Sequence, residues 1–271
     1  MSYPNFPIVG VKGVARSGKD TIAAMLAEHL NGALVAQADP MKRFAMDIFE
    51  FDEDQLWGGE RKELLDPRID DLAYRNKIRQ NFQDKAVTNL EDWDLIAVED
   101  ALTPIRTNEY VKLKEWFSNW LADGRNFSPR KVLQTLGTEF GRTVSKHVWS
   151  DYALGVANAL LEGGYHYGRV EGLLEDSSVC PPAWVFITDI RFRSEALAVK
   201  AEGGWLLEVQ NPELQGKVQA VTVGIQGHAS ETEVATIPKT WNNITFSNDK
   251  RLGLEAARTK VALMAKTVFT P

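Results

Sequence analysis

The stretch FPIVGVKGVARSGKDTIAAMLAEHLNG, Phe6 to Gly32, decides the reading of the fold. Its first part is a short apolar, β-branched run that ends at Gly13 and reads as a buried strand. A glycine-rich turn, GVARSGKDT (13–21), follows. Ile22, Met25, Leu26 and Leu30 then fall on one helical face, with Gly32 as the expected stop. Strand, glycine loop and helix in series are the context of a phosphate-binding loop. The usual spacing is a glycine, four free positions, Gly-Lys, then Ser or Thr. Gly13, Gly18 and Lys19 fit, but Asp20 takes the next position and the hydroxyl arrives one residue late, at Thr21. Backbone N–H groups over Gly13, Ser17, Gly18, Lys19 and Thr21, with the positive end of the helix, make an anion cradle. In it Lys19 reaches the outer phosphates, and Thr21 offers its hydroxyl to Mg²⁺ or to the inner phosphates. Asp20 has two readings. It is a favourable first-turn acid, worth roughly 0.3–1 kcal/mol, or a working carboxylate that needs Mg²⁺ or a cation beside the phosphates.

Outside the loop, composition sets limits. The chain has 271 residues, 44% of them hydrophobic, enough for one large core or two small ones. A net charge of −6 argues against a broad nucleic-acid surface. The single cysteine, Cys180, excludes an internal disulfide and a cysteine-rich zinc site, which suits a reducing cytoplasm. His29, His147, His166 and His228 show no metal-ligand spacing. The N-terminal residues lack the pattern of a secretory signal, and no run of about 18 apolar residues is present, so a membrane span is not expected.

Further strands are expected at ALVAQA (33–38), AWVFITDI (183–190), WLLEVQ (205–210) and NITFSND (243–249). Helices are expected at PMKRFAMDIFEF (40–51), EYVKLKEWFSNWLAD (109–123), SPRKVLQTLGTEFGRTVS (128–145), SDYALGVANALLEGG (150–164), RFRSEALAVKAEGG (191–204) and KRLGLEAARTKVALMAK (250–266). Ser128 and Ser150 serve as expected N-caps, with Pro129 at a first helical position. Residues 164–182 and 211–241 read as loops. Strands alternating with helices predict an α/β fold with a mainly parallel central sheet. The expected organisation is one domain, 1–271, with a largely helical insertion at about 52–127 and a lid-like segment at about 211–241.

GVARSGKDT resembles the Arg-Ser-Gly-Lys-Asp-Thr loop of the bacteriophage deoxynucleoside monophosphate kinases. ADPMK (38–42) resembles the turn after their second strand, and RKVLQTLGTEFGR (130–142), with Trp149 after it, their substrate helix. DIRFRSE (189–195) is similar to their Asp-x-Arg-x-x-x-Glu segment; GHASE (227–231) and SND (247–249) are weaker likenesses. The resemblance implies a three-layer phosphate-loop fold, ATP and Mg²⁺ as cofactors, and acceptor contacts from Asp189, Arg191 and Glu195.

The same residues have physical readings of their own. With Leu133 at zero on a helical wheel of about 100° per residue, Leu136, Phe140 and Val144 form a core stripe. Arg130, Lys131, Gln134, Gly137 and Thr138 group beside it. That face could hold a nucleotide monophosphate, Arg or Lys taking the phosphate and Gln a base edge, or could be solvated surface. Gly137 in mid-helix costs about 1 kcal/mol against alanine, which suits a close ligand or tight packing. Trp149 could stack on a base or fill a core. Asp189, at the end of an apolar strand, could serve Mg²⁺ or the acceptor. Lys42 could meet the acceptor phosphate, though plain exposure is the preferred reading. Segment 211–241 has no arginine, only Lys217 and Lys239, so charge stabilisation is expected from Lys19, Mg²⁺ and Arg16, Arg130, Arg142 or Arg191.

The expected activity is γ-phosphoryl transfer from ATP to a 5′-deoxynucleoside monophosphate. Catalytic roles fall to Lys19, Asp20, Arg130 and Arg16. Asp20 and Thr21 stand toward the metal, with Asp20 held between a Mg²⁺-bound water and a cation such as Arg16 or Arg130. Rival readings are a kinase of another small phosphorylated metabolite, a nucleic-acid-associated ATPase or DNA-end kinase, and a non-catalytic nucleotide-binding module. The expected partners are ATP and the acceptor, with no membrane and no stable nucleic-acid complex. The expected location is the cytoplasm, that of the host if the chain is of phage origin. Oligomeric state is left open, a homodimer among the options.

Overall fold

The computed structural model describes residues 7–58, 60–93, 102–123, 127–214 and 232–269. The chain divides into two compact units. Met1–Gln37, Ala153–Ala220 and Ala229–Pro271 make one; Ala38–Tyr152 and Val221–His228 make the other.

The first unit is built on a five-stranded sheet in the order β2-β5-β1-β6-β7. Its strands are β1 (Ile8–Lys12), β2 (Gly32–Ala36), β5 (Trp184–Ile190), β6 (Trp205–Gln210) and β7 (Ile244–Ser247). All four pairings are parallel. The predicted α/β class and the five predicted strands are therefore found. The inner strands read as continuous apolar runs because both faces are covered, the usual state of a parallel sheet. On one face Val9, Val11, Trp184, Phe186, Trp205 and Leu207 pack under helix α1 (Lys19–Leu30) and helix α10 (Gly253–Val268). On the other face a Cβ built on Gly10 would meet Leu206, Val199 and Ile190, so helix α9 (Arg193–Ala201) lies close to β1 there. Lys12 is the exception inside β1, only 2% exposed, with its ammonium 3.5 Å from the Glu208 carboxylate. Burial drives its pKa down, and Glu208 opposes that shift.

Several local readings are corrected. Asn31, in the left-handed region at φ 48°, caps α1, and Gly32 already belongs to β2. Asn tolerates that conformation through its short polar side chain. Residues 164–182, expected as loop, contain an antiparallel hairpin of β3 (Tyr165–Gly168) and β4 (Gly172–Glu175). The glycines that suggested a loop bracket the hairpin turn. Helix α8 (Val148–Glu162) starts two residues before the expected cap, and the Ser150 hydroxyl donates to the His147 carbonyl from within its first turn. Of the lid-like segment, 215–231 lies outside the described residues, GHASE included. The rest forms short turns at Pro212–Leu214, Glu233–Thr236 and Lys239–Trp241.

The second unit is helical: α2 (Asp39–Phe49), α3 (Glu53–Leu56), α4 (Leu72–Trp93), α5 (Leu102–Asp123), α6 (Pro129–Gln134) and α7 (Gly141–Val144), with the start of α8. It reaches beyond the expected insertion at both ends. Its core is aromatic. Phe44 meets Phe49, Phe82 and Trp116 edge-on at 6.3–6.4 Å, and Phe82 stacks on Phe117 at 4.3 Å. Among the described residues no helix is long and apolar enough to cross a membrane.

Phe269, at the end of α10, is 1% exposed and meets Trp184, Phe186 and Trp205 at 5.0–6.1 Å. Phe269→Ala is expected to lower stability by about 3–5 kcal/mol, read as a shifted midpoint in urea unfolding.

Candidate active site

The loop after β1 opens at the C-terminal end of the sheet, where ligands bind in open α/β folds. Its backbone is constrained at both ends. A Cβ on Gly13 would lie 2.6 Å from the Ser17 hydroxyl and 2.7 Å from the Val209 carbonyl. Gly18 caps α1 at φ 87°, a conformation that favours glycine. Arg16, exposed, holds φ 63°, a rare value outside glycine that recurs in functional loops. Ser17 is fully buried, and its hydroxyl has no hydrogen-bond partner. Thr21 stands exposed on the first turn of α1.

Lys19 is the focus. Its ammonium lies 2.9 Å from Asp20 and 3.0 Å from Asp189, with its side chain 11% exposed. Burial works against the charge. The carboxylates of Asp189 and then Asp20 outweigh burial, so the Lys19 pKa stands above the ordinary lysine value and the group is a cation throughout the neutral range. Asp20 is 67% exposed, and the cation it touches is Lys19, where Arg16 or Arg130 had been expected.

Asp189 reaches Lys19 through an irregularity. In the register of β1 with β5, Gly10 pairs with Ile187 but Lys12 with Ile190, so β5 carries one extra residue. Asp189 sits in that bulge at φ 67°. Bulges of this kind re-aim a side chain beside active sites. Arg191 lies 3.3 Å from Asp189 on the far side from the sequence pattern's strand. The Glu195 carboxylate accepts the backbone N–H groups of Arg191 (2.8 Å) and Phe192 (3.0 Å). Glu195 thus works on α9's N-terminus, a capping role. The structure therefore brings Lys19, Asp20, Asp189 and Arg191 into one cluster, with Glu195 behind it.

The helical unit holds the other candidates. Ser128 caps α6 as expected, accepting from the Lys131 N–H. The helix then widens into a π-turn over Thr135–Phe140. The Gly141 N–H bonds five residues back, to the Leu136 carbonyl, and the Trp149 indole N–H donates to the Gly137 carbonyl at 2.8 Å. This extra residue per turn breaks the regular wheel. Gln134, expected on the polar face, is 7% exposed, while Lys131, Gly137 and Thr138 are half-buried. Tight packing accounts for two glycines: a Cβ on Gly137 would come 2.7 Å from the Met41 sulfur, and one on Gly141 would strike the Trp149 ring at 2.5 Å. Trp149 is 6% exposed and belongs to the aromatic core. Arg130 is ion-paired with Glu63, its Nε donating at 2.9 Å.

Sequence reasoning missed three partners. Lys42, read as exposed, is buried. It lies 3.2 Å from Asp39 and 5.0 Å above the Trp57 ring, and the Trp57 indole donates to the same Asp39 oxygen at 3.0 Å. Glu63 stands 67 positions from Arg130, with no local signal to link them. Asn248 donates to the Ser17 carbonyl at 2.9 Å across 231 positions; its only trace in sequence is the SND likeness.

Among the described residues no cluster of three or more acidic, histidine or cysteine side chains could cage a metal. That suits Mg²⁺, which usually takes one or two carboxylates and completes its shell with water and substrate phosphates. Asp20, Asp189 and the Thr21 hydroxyl fit such a partial set.

No family model matches the chain. A protein of Acanthamoeba polyphaga mimivirus, provisionally named deoxynucleotide monophosphate kinase, is 24% identical over 245 residues, 89% of this chain and 88% of its own length. The deoxynucleoside-5′-monophosphate kinase of Escherichia phage T5 is 27% identical over 148 residues, 52% of this chain and 59% of that relative. The likeness carried by GVARSGKDT, RKVLQTLGTEFGR and DIRFRSE is thus joined by similarity along most of the chain to viral proteins that bear the name of deoxynucleotide monophosphate kinases.

Proposed function

We propose that the chain transfers the γ-phosphoryl group of ATP to a 5′-deoxynucleoside monophosphate, giving the diphosphate and ADP. The observation that carries this reading is the Lys19 ammonium, held between two carboxylates at the mouth of a glycine loop and a helix N-terminus. A cation so placed is ready to exchange carboxylate oxygens for phosphoryl oxygens. The names of the viral relatives support the acceptor class.

An acceptor phosphate is already ionised at neutral pH, so its oxygen can attack the γ-phosphorus without a strong general base. A new P–O bond forms there as the bond to the ADP oxygen breaks. Catalysis is then positioning and charge stabilisation. Lys19 neutralises the outer phosphates of ATP. Asp20, Asp189 and Thr21 would hold Mg²⁺, directly or through water, and the metal would offset charge on the phosphoryl oxygens. Arg191, anchored by its own backbone to Glu195, keeps a second cation at the cluster. In the helical unit Arg130 faces the acceptor phosphate. A guanidinium has five donors in a planar fork, so it can keep Glu63 and still bind a phosphate. Gln134, Lys131 and Thr138 contribute to the acceptor's surroundings, and Trp149 acts by fixing the π-turn from which they project.

A coupled assay of ADP release with ATP and each dNMP, each NMP and oligonucleotide ends tests the reading. Turnover on dNMPs is expected; turnover on oligonucleotide ends alone, or on none, overturns it. Asp20→Asn should bind ATP normally yet lose about a hundredfold or more in turnover; full activity would leave Asp20 as a helix-start acid. Arg130→Ala should lower kcat about a thousandfold while ATP affinity changes little, measured by steady-state kinetics beside equilibrium ATP binding. Equal turnover in mutant and wild type would remove Arg130 from the mechanism.

A further inference from the structure

The turn between β7 and α10 lies against the phosphate loop. Asn248, 8% exposed, donates to the Ser17 carbonyl, and a Cβ on Gly18 would collide with the same amide nitrogen. The bond therefore presses on the peptide between Ser17 and Gly18, where the loop turns into α1. Two residues on, Lys250 Cε comes 3.5 Å from that built Cβ position. Its exposed ammonium, one bond further out, stands beside the N-terminus of α1.

The neighbouring charges leave Lys250 distinct. Asp249 is engaged with Arg251, accepting its backbone N–H at 3.1 Å and its guanidinium at 2.6 and 2.8 Å. Lys19, on the other side of Gly18, is held by Asp20 and Asp189. Among the described residues no carboxylate pairs with the Lys250 ammonium. A mobile cation at the loop also suits a chain whose segment 211–241 contains no arginine.

We propose that Lys250 is a second phosphate-binding cation of the nucleotide site, and that Asn248 positions the loop beneath it by holding the Ser17 carbonyl. The proposal rests on the kinase reading above. The ligand class is a nucleoside di- or triphosphate, and the contact is to phosphate charge, not to the base.

Titration calorimetry of the full chain with ATP, ADP and adenosine tests this, using Lys250→Ala, Lys250→Arg and Lys250→Glu. Lys250 is exposed, so thermal unfolding should not change. Lys250→Ala should weaken ATP and ADP binding about tenfold, Lys250→Glu further, and Lys250→Arg little. Adenosine binding and the KM for the acceptor should stay as in wild type. Equal ATP affinity in Lys250→Ala and wild type overturns this proposal and leaves the kinase reading standing. Equal weakening for adenosine and ATP also overturns it, since the contact would then be to the nucleoside. Absence of ATP binding in wild type overturns both readings.

Discussion

The Lys19 ammonium shared between Asp20 and Asp189 is the interaction on which the phosphate-loop unit turns. A largely buried cation beside the positive end of a helix is unfavourable on its own, through lost hydration and through the macrodipole. Two carboxylates at about 3 Å remove that cost. Arg191 balances the second of them. Two cations and two anions leave the cluster near neutrality before nucleotide arrives. An incoming polyphosphate replaces one set of anionic oxygens by another around Lys19, and the displaced carboxylates become available to a divalent ion. The acid after the loop lysine, which looks wrong beside phosphates, is what keeps that lysine charged and in place.

The helical unit solves a different problem. Its aromatic residues bury α2, α4 and α5 together, and the π-turn after α6 lets Gly137 and Gly141 approach Met41 and the Trp149 ring. Trp149 satisfies the Gly137 carbonyl that the widened turn leaves out of the ordinary ladder. Arg130 and Glu63, and Lys42 with Asp39 and Trp57, are charges fixed by partners rather than left to solvent. A fixed guanidinium loses less freedom when it binds a phosphate than an extended surface arginine would.

Much of this was legible in the sequence. Five apolar runs gave five strands, because a parallel sheet buried on both faces needs unbroken apolar stretches. The loop, Lys19 and Asp189 followed from local spacing. What was not legible depends on distant pairing or on added residues. Glu63 and Asn248 lie far along the chain from Arg130 and Ser17. The π-turn and the β5 bulge each insert one residue into a regular period, and no single residue type announces them. The wheel for 130–142 placed Gln134 among polar neighbours because it assumed a constant turn. The hairpin at 165–175 was hidden by Gly168 and Gly172, which punctuate a turn as readily as they mark a loop.

The bulge in β5 has a meaning for how this chain can change over time. Along a regular strand Asp189 would share a face with Val185 and Ile187, in the layer under α9, and Ile190 would point the other way. The extra residue reverses that parity, so Ile190 instead packs near Gly10 and Val199 while the carboxylate turns out to Lys19. Losing one residue here would trade an isoleucine for an acid in the hydrophobic layer. Gaining one would do the same to the residues beyond. The segment is therefore locked in length more tightly than in identity, and drift across this strand can proceed by substitution but not by insertion or deletion.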